Sequence, residues 1–123
     1  AEAPDFIHEW VRAPYPANQA DQKRIREGLV WLESQAQSRF ETEFSNLEDS
    51  QMVAICDDIA WLPEAKPEFR AAAQFFDRVR TLTLGGFYTT QMGRNDLGWV
   101  GNVPIAGEYP GPPPEALAHL GLT

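Results

Sequence analysis

The stretch from residue 19 to residue 40, QADQKRIREGLVWLESQAQSRF, decides the fold. Its apolar positions Ile25, Leu29, Leu32, Ala36 and Phe40 follow in steps of four, three, four and four. That spacing places them on one face of an α-helix running from about Gln19 to Arg39. Val30 and Trp31 widen the face, which predicts a helix packed on more than one side. Asp21 and Gln22 occupy the early turns and Arg39 stands near the end, the order that the helix macrodipole favours. No segment of the chain alternates apolar and polar residues as a half-buried strand would.

Further helical stripes flank this one. Upstream, Phe6, Ile7, Trp10 and Val11 fit one face of a short helix that Pro14 stops, an N-terminal strap over residues 1–17. Downstream, Phe44 and Leu47 anchor a short connection. A second main helix is then expected from about Glu48 to Trp61, with Met52, Val53, Cys56, Ile59 and Ala60 inward and Pro63 ending it. Pro67 opens a third, with Phe69, Ala72, Phe76 and Val79 in line, Phe75 and Leu82 extending the stripe, and Gly85-Gly86 interrupting it. Another turn or two follows in FYTTQMG, and after Gly93 the chain reads as irregular, with a final turn at Pro114. The expectation is one all-α domain: three main helices in a core over 18–93, a strap before it, and a Gly/Pro-rich tail over 94–123.

The totals narrow the function. With 18 acidic against 10 basic residues the formal net charge is −8. Nucleic acid needs a basic footprint and is excluded as a partner, and an anionic membrane surface is disfavoured for the same reason. The charge serves solubility or, more pointedly, complements a basic partner surface. No apolar run approaches the ~20 residues of a membrane span, so no direct membrane insertion is expected. Cys56 is the only cysteine, which excludes an intrachain disulfide. With Asp57 and Asp58 beside it, it reads as a small core hydrophobe rather than a reactive thiol.

No constellation of catalytic residues emerges. His8 and His119 sit at opposite ends of the chain without a second ligand at metal-binding spacing. There is no GxSxG turn, and no glycine run follows a strand in the manner of a phosphate cradle. Asp57 and Asp58 are neighbours on a helix, about 100° apart, and cannot face one substrate as a dyad. The residues thus predict no catalytic, cofactor-binding or metal site in this chain.

What stands out is the tail. From Gly98 to Pro114, nine of seventeen residues are Gly or Pro, yet Trp99, Val100, Val103, Ile105 and Tyr109 stand between them. A linker would be polar, and a strand would not hold so much proline. Two uses fit such a strap. It packs back over its own helices with Trp99 and Tyr109 as lids, or it lies along another protein, where proline limits the ordering entropy and the rings act as anchors.

At these residues the sequence resembles the gluconate 2-dehydrogenase subunit 3 family. The resemblance is carried by Phe75 and Phe76, Arg80, Leu82 and Thr83, the run from Gly86 to Thr90, Gly93, and Leu97-Gly98-Trp99-Val100-Gly101-Asn102. It extends over roughly residues 20–110, including the helix KRIREGLVWLESQAQSRF with the Phe and Leu anchors that follow it. It implies a small, mostly helical, cofactor-free accessory subunit. The partner implied is a large FAD-dependent dehydrogenase of the GMC type that oxidises sugars or sugar acids, with a cytochrome c subunit in many complexes. It further implies support of that partner's maturation and export, and a periplasmic location.

Under that resemblance Tyr88, Trp99, Val100, Asn102, Ile105 and Tyr109 become candidate partner-binding residues. Tyr88 and Trp99 would bury a ring and keep a polar contact. Asn102 after Gly101 suits a tight turn. Gly85 and Gly86 would end the third helix or admit another backbone. The family commonly carries a twin-arginine signal, which this chain lacks: KRIR lies inside a helix. Export is therefore expected from a presequence that has been removed, or is supplied otherwise. Two other classes are an independent small helical binding protein and a stand-alone enzyme using scattered carboxylates and His8.

Overall fold

The computed structural model describes residues 2–99, 104 and 106–122. Six α-helices follow one another among these residues: α1 (Ala3–Arg12), α2 (Pro16–Phe40), α3 (Asp49–Asp57), α4 (Arg70–Tyr88), α5 (Gln91–Leu97) and α6 (Pro114–His119). No strand occurs among them. The fold is all-α, as the stripes predict.

Proline sets several starts. Pro16 opens α2 and Pro114 opens α6, and Pro67 leads a single 3₁₀ turn (Pro67–Phe69) into α4. At the first turn the missing N–H has no intrahelical partner to lose. The start of α3 is fixed by Gln51, whose side-chain oxygen accepts from the Glu48 amide at 2.9 Å.

Two apolar clusters lie against α2. In the first, Ala36, Leu47 and Ile55 are buried, with Leu32, Phe40, Phe44 and Met52 around them. In the second, Ile59, Ala72 and Ala73 are buried beneath Leu62, Phe69 and Phe76. Trp31 borders both, and its ring meets Phe69 edge to face at 5.7 Å. Small alanines on α2 and α4 let the large side chains from the connections fill the space between the helices.

Several expectations need correction. Leu29 is exposed, not core; the buried position on that turn is Gly28. A Cβ on Gly28 would lie 2.0 Å from the Phe75 ring, so the missing side chain is the slot in which Phe75 packs. Gly85-Gly86 does not interrupt the third helix: α4 runs on to Tyr88. Gly86 is buried against Phe6 of α1, whose ring atoms would be 3.0 Å from an added Cβ, and Gly85 faces open space. Helix α3 ends at Asp57, four residues before Trp61, which is exposed. Asp58 turns back to pair with Arg39 of α2 at 2.6 Å.

The N-terminal segment is more than a strap. Helix α1 packs on both α2 and α4. The joint is polar: Asp21 of α2 is buried and accepts from Arg78 of α4 at 2.9 and 2.7 Å, one bond to each carboxylate oxygen. Trp10 of α1 donates its indole N–H to the same carboxylate at 2.8 Å, and the Arg78 guanidinium lies over the Trp10 ring at 5.8 Å. Asn18, also buried, donates to the Trp10 carbonyl at 2.9 Å. A buried carboxylate is tolerated only when its oxygens are satisfied, and a two-toothed guanidinium does this best. The Arg78 guanidinium holds the Asp21 carboxyl below the ordinary carboxylate range; burial opposes this, and the Trp10 indole reinforces it.

Candidate partner interface

Two of the candidate partner-binding residues, Tyr88 and Trp99, flank the turn from α4 through α5. After Tyr88 the helix yields to a two-residue corner. Thr89 donates its hydroxyl back to the Gly86 carbonyl at 2.8 Å, and Thr90 donates to the Phe87 carbonyl. Thr90 is also the N-cap of α5, accepting from the Gly93 amide at 3.1 Å. Gly93 is buried against the end of α4. A Cβ there would stand 2.2 Å from the Phe87 carbonyl oxygen, so glycine is required for the two helices to meet this closely.

Helix α5 closes with a Schellman motif. Gly98 takes the left-handed conformation, its amide bonds to the Asn95 carbonyl at 3.1 Å, and the Trp99 amide bonds to the Arg94 carbonyl at 3.0 Å. The sequence pattern carries helix only through FYTTQMG to Gly93, whereas α5 runs on to Leu97. The signal that marks it is a Thr cap and a Gly cap bracketing seven residues, too few for an apolar stripe to form. The Leu97-Gly98-Trp99 portion of the tail motif is therefore a helix stop that fixes the backbone beneath Trp99.

The corner presents its rings outward. Tyr88 packs edge to face on Phe87 at 5.0 Å and is still at the edge of exposure. Trp99 is 55% exposed and Tyr109 64%, so neither is a lid on the helical core. Met92 and Leu97 of α5 are exposed beside them in sequence. Between α5 and the start of α1 lies an open cleft of about 490 Å³ bordered by Glu2, Phe87, Thr90, Met92 and Arg94. The Arg94 Nε is buried there without a hydrogen-bond partner among the described residues. Val100, Asn102 and Ile105 lie outside the described residues.

Elsewhere the chemistry is sparse. Among the described residues no group of three His, Cys, Asp or Glu side chains is close enough to hold a metal ion. His8 and His119 are exposed. Burial, seconded by the charge of Asp57, pushes the Cys56 thiol up, away from the nucleophilic thiolate. No described helix is long and apolar enough to cross a membrane.

A family model described as gluconate 2-dehydrogenase subunit 3 matches residues 1–108 of the 123. The chain belongs to the gluconate 2-dehydrogenase subunit 3 family. No curated protein and no solved structure matches it. The family match takes in α1 as well as α2 to α5, a wider reach than the sequence resemblance from about residue 20. This accords with α1 being bound into the frame through Trp10 and Asp21. The family is that of one subunit of a multi-subunit dehydrogenase, and the corner at Tyr88 and Trp99 falls within the matched residues.

Proposed function

We propose that this chain is the non-catalytic accessory subunit of an FAD-dependent dehydrogenase of the GMC type acting on a sugar or sugar acid. It binds the large flavoprotein subunit, stabilises it and accompanies its maturation and export to the periplasm. FAD belongs to the partner, and this chain holds no cofactor of its own. A cytochrome c subunit completes the complex as electron acceptor.

The observation that carries this reading is the outward presentation of Tyr88 and Trp99 at a corner whose backbone is held in place by the Thr90 and Gly98 caps. Amphipathic rings on a pre-set backbone lose little entropy on docking and are the residue types that dominate interface energies. Membership of a dehydrogenase-subunit family supplies the partner class.

Co-expression with the large flavoprotein subunit tests the proposal. A stable heteromer is expected, with higher yield and flavin content of the large subunit than when it is expressed alone. A monomeric chain that leaves both quantities unchanged would refute it, as would turnover of a sugar by the purified chain alone.

A further inference from the structure

The apolar corner has an acidic edge. Glu2, Asp5 and Glu9 recur at i, i+3 and i+7 and therefore share one face of the α1 segment. All three are exposed, and none takes part in an ion pair among the described residues. They line a shallow cleft of about 290 Å³ whose far wall includes Thr89 and Thr90. Glu2 and Thr90 also border the larger cleft that holds Phe87, Met92 and Arg94. The carboxylate row and the Phe87–Met92 side of the corner, where the Tyr88 ring meets Phe87, are therefore parts of one surface, joined at Glu2. Among the described residues that line the two clefts Arg94 is the cation, set on the apolar side, and Arg12 in the last turn of α1 lines neither.

We infer that this joined surface docks a patch of the dehydrogenase subunit that is apolar at its centre and bordered on one side by Lys or Arg side chains. The inference rests on the proposed accessory role and adds the chemistry of the partner's surface. Tyr88, Met92 and Trp99 enter the apolar part, and Glu2, Asp5 and Glu9 meet the cations. Buried rings supply most of the affinity in such an arrangement, and a charged rim supplies the rate of encounter and the register. Charge complementarity selects this occupant over others. A second copy would bring the same carboxylate row on a chain of net charge −8, and an anionic bilayer would repel it.

The test compares binding of the full chain to its co-expressed flavoprotein subunit at low and high salt. Wild-type affinity should fall as salt rises, because exposed charges are screened over about 10 Å at 0.1 M. The triple reversal Glu2→Lys, Asp5→Lys, Glu9→Lys should weaken low-salt binding about tenfold or more and flatten the salt dependence. Trp99→Ala should weaken binding at every salt concentration and leave the salt slope intact. A second triple reversal with the same net charge, Glu43→Lys, Glu64→Lys, Glu68→Lys, sits away from the corner and should bind nearly as the wild type does. The neutral set Glu2→Gln, Asp5→Gln, Glu9→Gln, checked for unchanged helicity and melting, should fall between wild type and reversal. Wild-type binding that ignores salt, or equal losses from the two reversals, would overturn the inference while the accessory role stands. Failure of the wild-type chain to form a heteromer at all would overturn both.

Discussion

Trp10 and Trp99 make the same residue type do opposite work. Trp10 lies in the joint of α1, α2 and α4, donating to a buried carboxylate and stacking at 6.0 Å on Phe6. Trp99 follows the Gly98 cap and leaves more than half of its surface to solvent. The frame around Trp10 satisfies its polar groups internally, so its aromatic surface is spent on folding. The corner around Trp99 satisfies its backbone through caps and leaves its rings unspent. A domain that holds itself together in one region is free to present apolar surface in another.

The frame should be the sensitive half. Ile59 is fully buried, and Ile59→Ala is expected to cost about 3–4 kcal/mol, read as a drop in urea midpoint. Arg78→Ala should follow at about 2–3 kcal/mol, since it leaves the buried Asp21 with the Trp10 indole as its remaining side-chain donor. A loss below about 0.5 kcal/mol would show that the joint is ornamental and that α1 is a strap after all.

The same joint sets a pH dependence. The native Asp21 carboxyl is held below its ordinary value of about 3.9, so its ionised form favours the folded state at higher pH. That contribution is present above the unfolded value and is lost as pH falls through the lower native one. The stability gap between wild type and Asp21→Asn should therefore be widest near neutral pH and close as the solution is acidified below the ordinary carboxylate range. A gap that stays constant across that range would mean Asp21 acts by shape and not by charge.

Smaller effects sharpen the boundary between the regions. Gly28→Ala gains helix propensity but drives a Cβ into the Phe75 ring, for a net loss of about 1–2 kcal/mol. Trp99→Ala in the isolated chain should cost under about 1 kcal/mol, because a ring this exposed contributes little burial to the folded monomer. A melting shift as large as that of Ile59→Ala would move Trp99 into the frame and remove the contrast.

How much of this was legible depended on the length of the signal. Helices α2 and α4 carry apolar stripes over many turns, and the periodicity locates them to within a few residues; α3 has only nine residues, and the pattern places its end four residues too late. The stripe misplaced Leu29 because it ranks residues by greasiness, whereas the packed face is set by fit: Gly28 is inward because Phe75 needs the room. The joint was illegible because Asp21 and Arg78 are 57 residues apart, and a charge in an early helical turn already has a local explanation. Helix α5 was too short for periodicity and declared itself only through its caps. Of the candidate site, Tyr88 and Trp99 are legible from ring chemistry and resemblance. The acidic row beside them required the fold, which brings the start of α1 against the α4–α5 corner.

If the corner's rings serve a partner and not the fold, truncating them should cost binding and spare stability. This is tested most directly by the affinity of the double variant Tyr88→Ala, Trp99→Ala for the co-expressed flavoprotein subunit, measured on protein whose isolated melting temperature matches the wild type. Binding should weaken at least about a hundredfold, the scale of two interface anchors truncated together. Wild-type affinity in that folded double variant would contradict it.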